Sequence, residues 1–450
     1  MSSVPTFPVT DPFVRRTWRL PSTVAFYLQA SIVVAFLAAS SAPTPLYAVY
    51  QGEWGFSPIT TTVVFGIYAL AVLAALLTVG SLSDHIGRRP VLLTAIVLQA
   101  VAMIVLTTAG GVSELMIARI VQGLSTGAAV GAVGAGMLDL DKVKGTLANA
   151  VAPMTGTAAG ALASGLLVQY LPAPTHLVYL ALLGVFALQG LGVALMRETS
   201  APKAGALASL RPRLGVPKAA RGALLLAAPV LVAVWALAGL YGSVIPAVIR
   251  SVLGSDSLLL GGLALFALAG SGALTVLLLR GAAPRPVMLF GTVALIAGVG
   301  TTLVAVDHSS AVWFFVGTVI AGVGFGGGFQ GAIRTLVPLA APHERSGLLS
   351  TVYVLSYLAM GLPAVIGGFL VVHGGGLLPT TREYGVAVMV LAALALLGLA
   401  VPRRATAGES VVVGSNVPAV SDASSEPARV TVVAADVEAR VAADVEYAKR

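Results

Sequence analysis

Long apolar runs broken by short polar turns set the pattern of this chain. About 20 apolar residues suffice to cross a bilayer as a helix. On that measure, runs near 22–48, 58–82, 90–109, 113–138, 146–170 and 175–196 predict six spans. Runs near 222–249, 257–280, 286–306, 310–337, 346–372 and 384–401 predict six more. The connector 197–221 carries six Lys and Arg among several Pro and Gly, and divides a first half, 22–196, from a second, 222–401. A polar segment, 1–21, comes before, and a Ser-, Val- and Ala-rich charged stretch, 402–450, comes after and reads as disordered. The expected fold class is an all-α membrane protein with twelve transmembrane helices in two pseudo-symmetric six-helix halves.

Composition agrees with the pattern. Of 450 residues, 57% are hydrophobic and 10% charged, too few polar groups to cover an apolar core in water. The absence of cysteine excludes disulfides, thiolate metal sites and Cys nucleophiles, and the five His show no metal-ligand spacing. No metal and no cofactor is expected. No Gly-x-x-x-x-Gly-Lys-[Ser/Thr] loop points to ATP as a driving force, and no nucleophile, base and metal set converges on an enzyme site.

The net charge of +8 changes the picture through its placement. The cations sit in short clusters between apolar runs, so no nucleic-acid partner is implied. With the N-terminus inside, one set of connections holds Arg15/Arg16/Arg19, Arg88/Arg89, Lys142/Lys144, the six linker cations, Arg280/Arg285, Arg334/Arg345 and Arg403/Arg404. The other set holds only Arg250 and Arg382. The excess of cations on the cytoplasmic side of membrane proteins then places both termini in the cytoplasm.

The two halves repeat one another. Arg89-Pro90-Val91-Leu92-Leu93 opens the third span and Arg285-Pro286-Val287-Met288-Leu289 the ninth. The fifth and eleventh begin Gly145-Thr146-Leu147 and Gly347-Leu348-Leu349, each with a further glycine twenty residues on. Repeats of this kind are the mark of transporters built from related halves.

One stretch interrupts the apolar pattern with charge of both signs: Gly80-Ser81-Leu82-Ser83-Asp84-His85-Ile86-Gly87-Arg88-Arg89-Pro90. Its Gly-x-Leu-Ser-Asp-x-x-Gly-Arg-Arg spacing, between the second and third spans, resembles the signature loop of the major facilitator superfamily of secondary transporters. The resemblance covers residues 21–402. It implies a gating role for Gly80, Asp84, Gly87, Arg88 and Arg89, with Asp84 set against the positive N-terminal end of the eleventh helix when the cytoplasmic side is shut. Arg88 has Asp139 or Asp141 as an available partner. The plain alternative is a cluster that only orients a turn.

Arg119 lies inside the fourth apolar run, followed by Gln122-Gly123. An intramembrane Arg is costly and ordinarily faces the bundle interior or an aqueous path. Arg-x-x-Gln-Gly also resembles the fourth-helix motif of the same superfamily, which implies proton coupling. Alternatively Arg119 snorkels to the interface and pairs with Glu114. No carboxylate falls near the middle of any predicted span, so coupling would require Glu53, Glu114 or Asp84 to titrate. Antiporters of the superfamily often carry Gly-x-x-x-Gly-Pro-x-x-Gly-Gly in helix five. Here Gly156-x-x-x-Gly160 is followed by Ala161, and the proline is Pro153.

The family architecture implies a central cavity, for which Gln29, Tyr47, Tyr68, Tyr241, Gln330, Tyr353 and Tyr357 are candidate lining residues. The expectation is a monomeric plasma-membrane (cell inner membrane) transporter that works by alternating access and exports an amphipathic small molecule in exchange for protons. A sugar or metabolite transporter of the same fold is the alternative, and a membrane receptor a more distant one.

Overall fold

The computed structural model describes residues 19–252, 254 and 257–400. The tail 402–450 and residues 1–18 of the N-terminal segment, with the expectations placed on them, lie outside the described residues. Among the described residues, twelve helices are long and apolar enough to cross a membrane. They are α1 Ser22–Trp54, α2 Pro58–Thr78, α3 Arg88–Thr108, α4 Val112–Leu140, α5 Lys142–Tyr170, α6 Pro174–Leu195, α7 Lys218–Ser243, α8 Leu258–Leu278, α9 Pro284–Asp307, α10 Ala311–Leu339, α11 Arg345–His373 and α12 Leu377–Leu399. Short connections make neighbours antiparallel, so the bundle has one end bearing Asp84 and an opposite end bearing Glu114.

Local chemistry sets several boundaries. Pro58, Pro174 and Pro284 open α2, α6 and α9, where a missing N–H costs nothing. Asp141 caps α5, accepting from the N–H of Val143 at 3.0 Å and of Lys144 at 2.9 Å, so this helix starts four residues before the predicted 146. Those bonds, that from Lys144 foremost, hold the Asp141 carboxyl below the usual carboxylate range.

The largest departure from the predicted spans is α12, which begins at Leu377 rather than 384. Gly375 and Gly376, at φ 100° and 102°, make the turn before it. The polar run Thr380-Thr381-Arg382-Glu383 hides this start in the sequence. In the helix, Thr380 and Thr381 donate to the carbonyls of Gly376 and Leu377 at 2.9 and 2.7 Å, and Arg382 pairs with Asp307 at 2.7 Å. Glu383 consequently falls inside a span, exposed on the bundle surface.

Each half buries its own apolar core. One cluster gathers Phe36, Leu92, Met103, Leu115, Tyr179 and Phe186 from the first six helices. The other gathers Leu231, Leu240, Leu295, Phe314, Leu348 and Val388 from the second six. Two seams join the halves. Along α5 and α8, contact runs from Gln169, whose Oε1 accepts the Leu258 N–H at 3.0 Å, to Met154 against Ala273 and Val276. Along α2 and α11, Phe65 and Ala69 meet Met360 and Ala364. A Cβ at Gly361 would lie 3.5 Å from Ala69, an ordinary contact, whereas one at Gly262 would strike the Ala161 carbonyl.

Candidate functional site

A proline-driven break in α1 begins the site. Pro43 has no N–H to give the Ala39 carbonyl four residues back, and the helix continues as a second segment, Pro43–Trp54. The Ala39 carbonyl instead accepts from Gln122 Nε2 at 3.0 Å, and the next carbonyl, Ser40, accepts from Arg119 Nη1 at 3.0 Å. Arg119 Nη1 also donates to Gln122 Oε1. Gln122 thereby orients the guanidinium while filling the gap in α1.

Arg119 is 1% exposed. Its guanidinium carbon lies over the Tyr68 ring, 4.1 Å from the centroid, a cation–π contact worth about 2 kcal/mol when shielded from water. The close approach of α2 and α4 depends on Gly123, where a Cβ would sit 2.7 Å from the Tyr68 carbonyl oxygen. Thr126 Oγ1 donates to the Gln122 carbonyl at 2.8 Å. Ser125 extends the network, donating to Gln99 Oε1 on α3. Among the described residues no carboxylate pairs with Arg119. Glu114, one turn away, is exposed, as is Glu53. Arg119 does not snorkel to the interface; it turns inward because the α1 break offers it carbonyl oxygens.

The other lining candidates separate into groups. Tyr47 is buried near Arg119, its hydroxyl without a hydrogen-bond partner among the described residues. Tyr353, Tyr357 and Gln330 are half-buried in the second half, and Gln330 Nε2 donates to the Val276 carbonyl at 3.1 Å. Gln29 packs between α1 and α4 against Gly136. Tyr241 lies in the second core, its hydroxyl 2.8 Å from Thr318 Oγ1. Trp235 and Phe329 escaped the sequence reading. Their rings stand 5.6 Å apart, and Trp235 lies 5.1 Å from Tyr357.

At the opposite end, the charged loop is held within its own half. Arg88, 6% exposed, pairs with Asp84, lies 3.2 Å from Asp139 Oδ2 and donates to Ser83 Oγ at 2.7 Å. Asp84 is turned to Arg88 one helical turn on, and its side chain stays half-exposed. The sequence reading also missed Glu198. Its carboxylate accepts the N–H of Arg88 at 2.7 Å and of Arg89 at 3.0 Å, capping α3, and those of Thr199 and Ser200 at 3.0 and 3.1 Å. Gly87, at φ 103°, makes this possible, since a Cβ there would lie 2.7 Å from the carboxylate. The connector adds Lys203 N–H to the His85 carbonyl at 2.8 Å, and Ser81 Oγ donates to Ser209 at 3.0 Å. Gly215 reaches the Gly347 carbonyl at the start of α11, at 3.4 Å.

Comparison with known proteins gives the following. Residues 30–354 match the Major Facilitator Superfamily. An uncharacterized transporter of Rickettsia bellii (strain RML369-C) is 39% identical over 74 residues, 16% of this chain and 18% of the relative's length. A crystal structure of the nucleoside transporter NupG is similar with a TM-score of 0.63 at 12% identity, over 84% of this chain and 100% of that one. At such identity the likeness is one of fold.

Proposed function

The chain belongs to the Major Facilitator Superfamily, and from that premise we propose that this membrane transporter exports a small amphipathic molecule in exchange for protons. In this reading the two halves rock about the α2–α11 and α5–α8 seams and expose a central cavity to each side in turn. Both termini face the cytoplasm, as the clustering of Lys and Arg on one set of connections supports. The protein acts as a monomer in the plasma membrane.

The observation that carries the reading is the buried network of Arg119, Gln122 and Tyr68 that joins α4 to α1 and α2. An unpaired cation inside a membrane protein is expensive, and such groups mark ion or substrate pathways. In the second half, the bonding of Tyr241 to Thr318 inside the core and the grouping of the Trp235, Phe329 and Tyr357 rings support an amphipathic substrate over a sugar.

The test is transport by the purified protein in sealed vesicles with and without an imposed pH gradient. A panel of lipophilic compounds, a sugar and a nucleoside would be offered to wild type, Arg119→Ala and Asp84→Asn. Gradient-dependent movement of an amphipathic compound, lost in folded Arg119→Ala, supports the proposal. Sugar or nucleoside movement indifferent to the gradient would replace it with metabolite uniport.

A further inference from the structure

The charges within the spans are one-sided. Among the described residues every Asp and Glu inside the twelve spans is exposed: Glu53, Glu114, Asp139, Asp307 and Glu383. Arg88, the other buried cation among the described residues, has carboxylates beside it. Arg119 has none, and its bonds to the Ser40 carbonyl and Gln122 leave a full positive charge in a low-dielectric interior. Two neighbouring donors, Arg119 Nε and the Tyr47 hydroxyl, also lack acceptors. What such a place lacks is a negative charge.

The second half supplies an aromatic cluster. Trp235 and Tyr357 pack on the α2–α11 seam, and Phe329 on the α5–α8 seam, so the trio stands between the halves. All three rings are half-buried, and Trp235 Nε1 has no partner among the described residues. The second helix connects the two groups: the Tyr68 ring carries Arg119, and Trp235 and Tyr357 pack against the cluster that holds the adjacent Ala69 and Phe65. A flat apolar ring gains from the edge and face contacts that Trp235, Phe329 and Tyr357 offer. A cationic guest would meet the field of Arg119 with no carboxylate to offset it.

The geometry points to a planar organic anion as the substrate class, its ring held by Trp235, Phe329 and Tyr357 and its negative charge balanced by Arg119. This inference rests on the proposed central cavity but not on the direction of transport or on proton coupling.

Equilibrium binding with no gradient tests it separately from transport. Titration calorimetry of the full chain in lipid nanodiscs would compare benzoate, neutral benzamide and benzylammonium, three probes of one ring and different charge. Wild type is expected to bind benzoate at least tenfold more tightly than benzamide, and benzylammonium least. Arg119→Gln abolishes the preference for benzoate over benzamide, Arg119→Lys retains part of it, and Trp235→Leu weakens both probes equally. The charge comparison within wild type does not depend on any variant folding. Preference for benzylammonium, binding of none of the probes, or an unchanged benzoate preference in Arg119→Gln would overturn the inference. Failure of the gradient-driven assay alone would count against proton exchange and leave this binding order intact.

Discussion

Arg119 of α4 rests on the ring of Tyr68 of α2, guanidinium carbon to ring centroid 4.1 Å, and this contact ties the cation to the helix that forms one seam between the halves. Tyr68→Phe keeps the ring and is expected to retain most of the fold stability. Tyr68→Leu removes the cation–π contact and should lower stability by about 2 kcal/mol. Unfolding of both variants in detergent measures the difference.

Pro43→Ala supplies an N–H that competes with Gln122 for the Ala39 carbonyl. The helix should become no less stable, while transport falls because Gln122, displaced from the Ala39 carbonyl, no longer holds Arg119 in orientation. Thermal unfolding and vesicle transport, read together, check this. A loss of both would mean that the break serves folding alone.

Glu198→Ala removes the carboxylate that caps α3 through Arg88 and Arg89. A lost cap costs about 1 kcal/mol. Labelling of a single cysteine placed in the 197–217 connector should also quicken, because the connector is anchored to the loop through this residue. The chain contains no cysteine of its own, so the label reports one site.

Asp141 has a carboxyl held below its unfolded value by the N–H groups it accepts. Its contribution is therefore complete above the unfolded carboxylate pKa of about 3.9 and disappears as pH falls through the lower folded value. Asp141→Asn retains an acceptor for the cap but cannot titrate. Acid unfolding curves should show the variant losing less stability than wild type in that acidic window, with the two differing by a constant amount near neutrality.

The fold was legible because membrane spans declare themselves by length and apolarity, and the helix order follows from the polar breaks. Charged or hydroxyl-rich first turns obscured helix starts, as at Lys142, Lys218 and Leu377, because a hydropathy pattern displays neither the Asp141 cap nor the bond of Thr380 to the Gly376 carbonyl. In the site, Arg119 and Gln122 stood out as polar groups in an apolar run. The carbonyls they use did not, although Pro43 was the available signal. Glu198 was invisible for another reason: its partner Arg88 lies 110 residues away in the chain, and only the closed loop at Gly87 brings them together. Trp235 and Phe329 look like ordinary core residues until the halves are assembled.

Alternating movement of the halves is the central claim, and paired distance measurements at both ends of the bundle test it most directly. Spin labels would be placed at Val143→Cys with Leu278→Cys at the Asp84 end, and at Tyr170→Cys with Arg250→Cys at the Glu114 end, all exposed positions. On acidification or addition of a transported compound, one distance should lengthen as the other shortens. Two distances that stay fixed under every condition, or that lengthen together, would contradict the account.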